Sequence, residues 1–247
     1  MIITSNDNNT VKSIVKLKDK KYRDQSGKYL IEGYRCVKDS LPYALNPTLI
    51  IHEDMAGIFG EEFSAYSQLI CADGVFRKVA DTENSQGIVC IADKKLPAKN
   101  YLSDYALFLD RVRDPGNLGT IIRTALAVGF NDIYCYDCVD AYNPKVVRSA
   151  MSAITRINIF SVDPSELNRL KDNGYTVLCA DMDGKNIFDR ANGKEKVCLI
   201  VGNEANGVCD EVKNLANEVI SLPMEQTESL NAGVCSAVMM YTLKYNK

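Results

Sequence analysis

The sequence predicts an α/β protein, with a parallel-sheet domain in its C-terminal part and a smaller α/β domain in its N-terminal part. After residue 100, continuous apolar runs alternate with segments of helical spacing, as in strands that a parallel sheet buries on both faces. Before residue 93, shorter apolar runs alternate with helical segments. The polar, proline-containing stretch 93–100 between them is typical of a linker. We therefore predict domains over residues 1–95 and 96–247.

In the N-terminal domain, helical spacing predicts one helix that Thr10 caps and a second helix over Gly33–Leu41. Short apolar runs rich in β-branched residues predict strands around and after them. These strands are Lys28–Glu32, Thr48–His52, Gln68–Cys71 and Gly87–Ala92.

In the C-terminal domain, strands and helices alternate, which predicts a parallel sheet with helices on both faces. The predicted strands are Tyr105–Asp110, Asp132–Tyr136, Arg156–Phe160, Tyr175–Ala180, Lys196–Val201 and Glu218–Leu222. The predicted helices are Asn117–Val128, Pro144–Ile154, Pro164–Asn173, Cys209–Ala216 and Leu230–Tyr245.

The composition is that of an ordinary globular protein, with 46% apolar and 25% charged residues in 247 positions. No apolar run reaches eighteen residues, so neither a transmembrane helix nor a membrane partner is expected. The N-terminus lacks the basic segment and apolar core of a signal peptide. The expected location is therefore the cytoplasm.

The nine cysteines are expected to be reduced thiols in that compartment. The close pair is Cys135 and Cys138, and the only histidine, His52, lies far away in the sequence. Because a structural zinc site needs four ligands, we expect no metal. A redox role for the pair is the less favoured alternative to a plain strand end.

The net charge of −3 argues against bulk nucleic-acid binding, and DNA is not an expected partner. Charge is nevertheless uneven, because the segment Lys12–Lys38 contains nine basic residues and three acidic ones. One interpretation is a local face that touches RNA. The other is a solvated helix face with no ligand.

Three blocks of glycine and polar residues follow predicted strands: Asp110–Gly129, Leu199–Val208 and Leu222–Gly233. Open parallel sheets bind ligands at the C-terminal ends of their strands. The three blocks therefore predict one composite site.

The first block contains Asn117 near the start of its helix and Arg123 six residues later, beside apolar neighbours. A charged group in such surroundings needs a partner. One interpretation is an ion pair with Asp110 or Glu204. The other is a phosphate clamp, for which the planar guanidinium is well suited.

The other two blocks exclude common alternatives. The second has Glu204 where a dinucleotide-binding loop has its second glycine, and it lacks the Gly-Lys-Ser/Thr ending of a P-loop. In the third, Ser229 or Asn231 can cap the following helix. His52 falls in the other predicted domain, so no Ser/His/Asp or Cys/His triad is available.

The order, spacing and strand-end positions of the blocks resemble the three motifs of the SpoU (TrmH-like) RNA ribose 2′-O-methyltransferases of the SPOUT superfamily. This resemblance covers Tyr105–Tyr245. The first ninety residues resemble the L30e-like substrate-binding domain that often precedes the catalytic domain in this family. Lys28–Arg35 and Ser85–Ile88 carry this second resemblance.

The resemblance implies a C-terminal trefoil knot, S-adenosylmethionine as cofactor, and a homodimer in which both subunits complete the site. It implies cofactor binding by Gly202, Leu222 and Leu230. It implies roles in catalysis or in shaping the site for Asn117, Arg123, Glu204, Ser229 and Asn231.

The resemblance further implies that Arg123 engages the RNA phosphate beside the target ribose, while Asn117 and Glu204 organise the site. Two departures from the family pattern bear on substrate fit. The loop before Ser229 lacks a usual glycine, and Ser152 stands where glycine is usual.

The resemblance implies a ribosomal RNA substrate, most of all 23S rRNA, because family members that act on tRNA often lack such an N-terminal domain. Two alternatives stay open. One is the same chemistry on tRNA. The other is a catalytically silent RNA-binding or ribosome-assembly factor, which the acidic loop from Glu225 to Glu228 favours.

Overall fold

A computed structural model describes residues 2–97, 99–190, 196–227 and 229–246. The chain divides into two compact units, one formed by Met1–Lys95 with Tyr142–Arg156, the other by Leu96–Ala141 with Ile157–Lys247. The helical segment 142–156 thus belongs to the first unit. The predicted domain limits, 1–95 and 96–247, stay a prediction.

The described residues form strands and helices that alternate along most of the chain. The strands are β1 Ile2–Ile3, β2 Lys28–Glu32, β3 Leu45–His52, β4 Ser67–Cys71, β5 Ile88–Asp93, β6 Tyr105–Asp110, β7 Asp132–Tyr136, β8 Asn158–Ser161, β9 Tyr175–Asn186, β10 Lys196–Val201 and β11 Glu218–Ser221. The α-helices are α1 Asn9–Lys16, α2 Lys20–Ser26, α3 Tyr34–Ser40, α4 Ala56–Glu62, α5 Asp73–Val79, α6 Pro115–Val128, α7 Pro144–Ala150, α8 Ala153–Arg156, α9 Glu166–Asp172, α10 Asp210–Lys213 and α11 Ala232–Tyr245. Short 3₁₀ turns occur at Glu53–Met55 and Ile187–Asp189.

The first unit contains a five-stranded mixed sheet in the order β1-β4-β3-β5-β2. β4 runs parallel to β1 and β3, whereas β5 runs antiparallel to β3 and β2. A core of buried aliphatic and aromatic side chains from α1, α5 and the sheet, including Ile14, Ile50 and Phe76, covers one face.

The second unit contains a six-stranded parallel sheet in the order β11-β9-β10-β6-β7-β8. From β6 the chain proceeds to β7 and β8 on one side, and it later places β10 on the other side of β6. The strand order therefore reverses between β6 and β10, which is where open α/β sheets bind ligands. The predicted α/β class with a parallel C-terminal sheet is confirmed.

Several predicted elements match their observed bounds, whereas others differ for local reasons. Asn8, not Thr10, caps α1, since its side chain accepts a hydrogen bond from the Thr10 amide at 2.8 Å. The helix predicted over Pro144–Ile154 breaks at Met151, whose φ is 54°. β9 continues past Ala180, and its pairing with β11 resumes at Lys185 after a register shift.

Candidate active site

The C-terminal ends of β6, β10 and β11 each lead into one of the three sequence blocks. β6 ends at Asp110 and the chain then enters α6, while β10 is followed by the loop 202–209. β11 is followed by the loop 222–231 and then α11. Because all six strands are parallel, these loops lie at the same edge of the sheet, beyond the C-terminal ends of the strands.

Asn117 joins the three blocks by hydrogen bonds. Its side-chain Nδ2 donates to Glu204 Oε1 at 2.9 Å, and its Oδ1 accepts from Asn231 Nδ2 at 2.8 Å. An ionised carboxylate only accepts hydrogen bonds, so Glu204 fixes the orientation of the Asn117 amide and leaves its oxygen for Asn231. Hydrogen bonds therefore link three of the predicted site residues, Glu204, Asn117 and Asn231.

Two helix caps position Asn117 and Asn231. The Asp114 carboxylate accepts a hydrogen bond from the backbone N–H of Asn117 at 2.7 Å, and Pro115 occupies the first turn of α6. Asn231 Oδ1 accepts from the amides of Gly233 and Val234 at 2.9 and 3.2 Å. Asn231 thus caps α11 with its oxygen while its nitrogen holds Asn117, and each such cap contributes about 1 kcal/mol.

Arg123 lies on the exposed side of α6. Neither ion pair considered from the sequence forms, because Asp110 binds Arg111 and Glu204 binds Asn117. Within residues 2–97, 99–190, 196–227 and 229–246, its guanidinium has no hydrogen bond or ion pair. Its five donors are thus available to a ligand from solution.

Ser229 is exposed, and its carbonyl oxygen accepts a hydrogen bond from the Thr227 hydroxyl at 3.2 Å. Its own hydroxyl has no hydrogen bond to another described residue, and Glu228 lies outside that set. Ser229 thus lies two positions before Asn231, but among the described residues it makes no hydrogen bond to Asn117, Glu204 or Asn231.

The three residues predicted to bind the cofactor lie in the loops after β10 and β11. Gly202 and Leu222 are buried directly after their strands, while the Leu230 side chain is 38% exposed. A Cβ atom added to Gly202 would lie 2.2 Å from the Gly207 carbonyl carbon. The loop therefore folds back on Gly202 more closely than any side chain allows.

Three polar residues that the sequence analysis did not assign to the site, Asn203, Asp110 and Arg111, hold these loops in place. Asn203 donates from Nδ2 to the Arg111 carbonyl at 2.9 Å, and its Oδ1 accepts from the Ala205 amide at 2.9 Å. Fully buried Asp110 accepts from Arg111 Nε at 2.8 Å and from the Cys209 amide at 2.7 Å. The bond to Asp110 raises the pKa of Arg111.

A sequence signal exists for two of the three. Asp110 is a carboxylate at the end of an otherwise apolar strand, and a buried carboxylate requires partners. Asn203 follows a glycine at a strand end, where asparagine side chains commonly close turns on their own backbone.

Cys135 lies in β7 and Cys138 follows the strand. A hydrogen bond between their thiols lowers the pKa of Cys138 and raises that of Cys135. All nine cysteines are free. Among the described residues, no group of three or more His, Cys, Asp or Glu side chains is placed to hold a metal ion. The described helices also include none that is both long and apolar enough to cross a membrane.

Several basic residues in Lys12–Lys38 bind acids or backbone carbonyls of the same unit. Lys38 pairs with Glu62 at 2.8 Å, and Lys28 pairs with Asp93. Arg23 is 2% exposed and donates to the Leu17 carbonyl at 2.8 Å. These three side chains are therefore engaged within the protein, whereas Arg35 in the same segment stays exposed.

Replacing Gly202 by alanine is expected to lower the free energy of unfolding by about 1–3 kcal/mol, because the loop backbone must move to admit a methyl group. Chemical denaturation with a fluorescence readout measures this change. Gly57→Ala in α4 is the control, since its added Cβ meets nothing within 4 Å and the helix gains about 0.5–1 kcal/mol. Equal stability of both variants would contradict the tight packing at Gly202.

Comparisons with known proteins agree with this arrangement. Residues 104–241 match the SpoU rRNA Methylase family, and residues 8–90 match the MRM3-like substrate binding domain. The chain is 31% identical over 248 residues to the 23S rRNA (guanosine(2553)-2′-O)-methyltransferase RlmP of Bacillus subtilis, covering 98% of both chains. The predicted N-terminal substrate-binding domain is thereby confirmed.

Solved structures give the same result. An AdoMet-bound rRNA methyltransferase from Sinorhizobium meliloti is 27% identical and superposes with a TM-score of 0.85, covering 98% of this chain and 97% of that one. AviRb, a SpoU methyltransferase from Streptomyces viridochromogenes, shares the fold at 23% identity with a TM-score of 0.83, covering 96% of this chain and 97% of that one. The family predicted from the three blocks is confirmed, and the chain belongs to the SpoU rRNA methylase family of RNA methyltransferases.

Proposed function

We propose that the protein transfers a methyl group from S-adenosylmethionine to a ribose 2′-hydroxyl of 23S rRNA in the cytoplasm. The observation that carries this proposal is the hydrogen-bonded link from Glu204 through Asn117 to Asn231. Arg123 lies on the same helix as Asn117 and has no partner among the described residues. Support for the substrate comes from the relative RlmP, which acts on 23S rRNA and matches the chain over 98% of its length.

The loops after β10 and β11 have the chemistry that S-adenosylmethionine requires. Gly202 lets the loop after β10 fold tightly on itself, and Leu222 and Leu230 are apolar side chains suited to the adenosine part. No lysine or arginine occurs in residues 202–209 or 222–231, so the positive sulfonium is not repelled there. When bound, the cofactor supplies an electrophilic methyl group.

The site residues address the weak nucleophilicity of a ribose hydroxyl. The hydroxyl must lose its proton as it attacks, so placement and charge stabilisation supply most of the rate. The planar guanidinium of Arg123 suits bidentate binding of the phosphate beside that ribose. Asn117 and Glu204 keep the loops that surround the target in register.

We also propose that the enzyme is a homodimer, because α11 has apolar residues on all sides. One face packs inside the unit through residues such as Met239, Met240 and Leu243. The opposite face exposes Val234, Val238, Tyr241 and Tyr245, by 37–60% of their surface. Their spacing of four, three and four residues forms one continuous stripe, and a helix that is apolar all round is normally buried.

The double variant Val238→Glu/Tyr241→Glu is expected to convert the dimer to a monomer, because two carboxylates would be buried in the interface. Light scattering should give twice the chain mass for the wild type and one chain mass for the variant. Ile58→Glu, at a 62% exposed position in α4, is the control and should stay dimeric. A monomeric wild type would contradict the proposal.

The C-terminal trefoil knot is part of the same proposal. It is compatible with the packing of α11 against α6 and β10 after the loop 222–231.

Transfer of labelled methyl groups from S-adenosylmethionine to unmodified 23S rRNA, 16S rRNA and tRNA tests the substrate. We expect label in 23S rRNA only. Label in tRNA would establish the tRNA alternative, and no cofactor binding at all would establish the silent RNA-binding alternative.

A further inference from the structure

The first unit contains an open cavity of about 710 Å³ that the site above does not use. Small-molecule sites commonly have volumes of about 300–1,000 Å³. Its walls come from the β2–α3 junction, the loop 82–86 and the end of α7. The lining residues that matter below are Glu32, Arg35, Cys36, Asn84, Gln86 and Met151.

A buried carboxylate fixes the loop that forms one wall. Glu32 is 8% exposed and accepts hydrogen bonds from the Asp81 amide at 2.9 Å, the Thr82 amide at 3.3 Å and the Thr82 hydroxyl at 2.5 Å. Arg148 pairs with Asp81 at 2.7 Å and with Glu32 at 3.7 Å. The loop is therefore held by charged contacts before any ligand arrives.

The charges that line the cavity cancel. Arg35 and Arg148 carry two positive charges, and Glu32 and Glu83 carry two negative ones. A cavity without net charge favours a neutral ligand over a free phosphate. The ligand must also suit two side-chain amides and an apolar surface.

The side-chain amides of Asn84 and Gln86 supply both donors and acceptors. Gln86 Oε1 already accepts from the Tyr34 amide at 2.7 Å, which orients its nitrogen as the remaining donor. Such groups match the hydrogen-bonding edge of an unpaired nucleobase. Burial raises the pKa of the Cys36 thiol to about 12, so this wall stays uncharged at neutral pH.

Met151 contributes a flexible, polarisable thioether to the wall from a strained backbone. Its φ is 54° and its ψ is −144°, a backbone conformation that residues other than glycine rarely adopt. Such strain persists where the surroundings hold it, and it clusters at ligand sites. A thioether packs well against a flat aromatic ring.

Arg35 stands on the rim with its side chain 85% exposed. Its ion pair with Asp39 measures 3.7 Å, which is long and solvent-screened. The guanidinium is thus free to bind a phosphate next to a base held in the cavity.

We propose that this cavity binds one unpaired nucleobase of the RNA substrate, with Arg35 on the adjacent phosphate; the proposal rests on the proposed function. Asn84 and Gln86 read the base edge, and Met151 packs against its face. The cavity thereby selects the sequence context in which the enzyme works.

Competition binding with short single-stranded oligoribonucleotides of A, of C, of U and of alternating G and U tests this. The wild type is expected to prefer one composition by about tenfold, the usual cost of one wrong base. Asn84→Ala should abolish that preference. A wild type without preference, or an Asn84→Ala variant that retains it, would overturn the proposal.

Arg35→Ala should weaken the binding of all four oligoribonucleotides by a similar factor. It should also lower the salt dependence of binding by about one phosphate contact. Arg77→Ala is the matched control, because Arg77 is also an exposed arginine on a seven-residue helix, paired with an aspartate four residues away. Its binding should stay within twofold of the wild type. Equal effects of the two substitutions would contradict the role of Arg35.

Methyl transfer to 23S rRNA, measured in parallel, separates the two proposals. Base preference without transfer to any RNA would overturn the proposed function and leave the cavity as an RNA site. Transfer without base preference would overturn the cavity proposal and leave the function standing.

Discussion

Replacing Arg123 by alanine is expected to lower methyl transfer to RNA by about 10²–10³-fold, the cost of removing one pre-positioned electrostatic donor. The dissociation constant for S-adenosylmethionine should change by only a few-fold. The residue is exposed, on α6, and has no partner among the described residues. Its removal therefore leaves no buried charge behind, and the thermal midpoint should not fall measurably.

Two further variants make this test specific. Arg123→Lys keeps the charge but loses the planar fork, so we expect it to restore only a small part of the activity. Arg169→Ala is the control, since Arg169 is 60% exposed on α9 and its partner Glu166 retains Lys99 and Tyr101. Loss of cofactor binding in Arg123→Ala with transfer intact would contradict the assignment.

The second large effect is expected from Asn117→Asp, which replaces an amide donor with a carboxylate at nearly the same size. The amide nitrogen lies 2.9 Å from Glu204 Oε1, so the substitution opposes two carboxylates at hydrogen-bond distance. We expect a loss of transfer of about 10²-fold and, because the contact is exposed to solvent, a destabilisation of only about 1 kcal/mol. Like charges raise the pKa of one carboxyl group, so both losses should shrink as the pH falls.

The double variant Asn117→Asp/Glu204→Gln restores one donor and one acceptor with their places exchanged. Stability and transfer should both recover, because the two residues are proposed to act by holding the loops together. Recovery of stability without transfer would instead assign the Glu204 carboxylate a direct part in the reaction. Asn168→Asp, on the exposed side of α9, is the control and should change neither quantity.

The sequence predicted the site where local signals sufficed. Asn117, Glu204 and Asn231 each follow a buried apolar strand, and parallel strands necessarily bring such positions to one edge. Periodicity also located β6, β7 and β10 at their observed bounds. These elements are apolar on both faces, so few alternatives compete with the strand assignment.

Features that depend on strand order were beyond such signals. The hydrogen bond from Asn203 to the Arg111 carbonyl spans 92 positions, and it exists only because β10 lies beside β6. The helix α2 was missed because its seven residues carry almost no apolar periodicity. The break at Met151 has no glycine or proline to announce it.

The most direct test of the account is the chemical position of the transferred methyl group. Unmodified 23S rRNA is treated with the enzyme and labelled S-adenosylmethionine, hydrolysed in alkali, and analysed by mass spectrometry. Alkaline cleavage requires a free 2′-hydroxyl, so ribose methylation predicts label in an alkali-stable dinucleotide for the wild type and a near-complete loss of it for Arg123→Ala. Label on a mononucleotide base would contradict ribose methylation by this site.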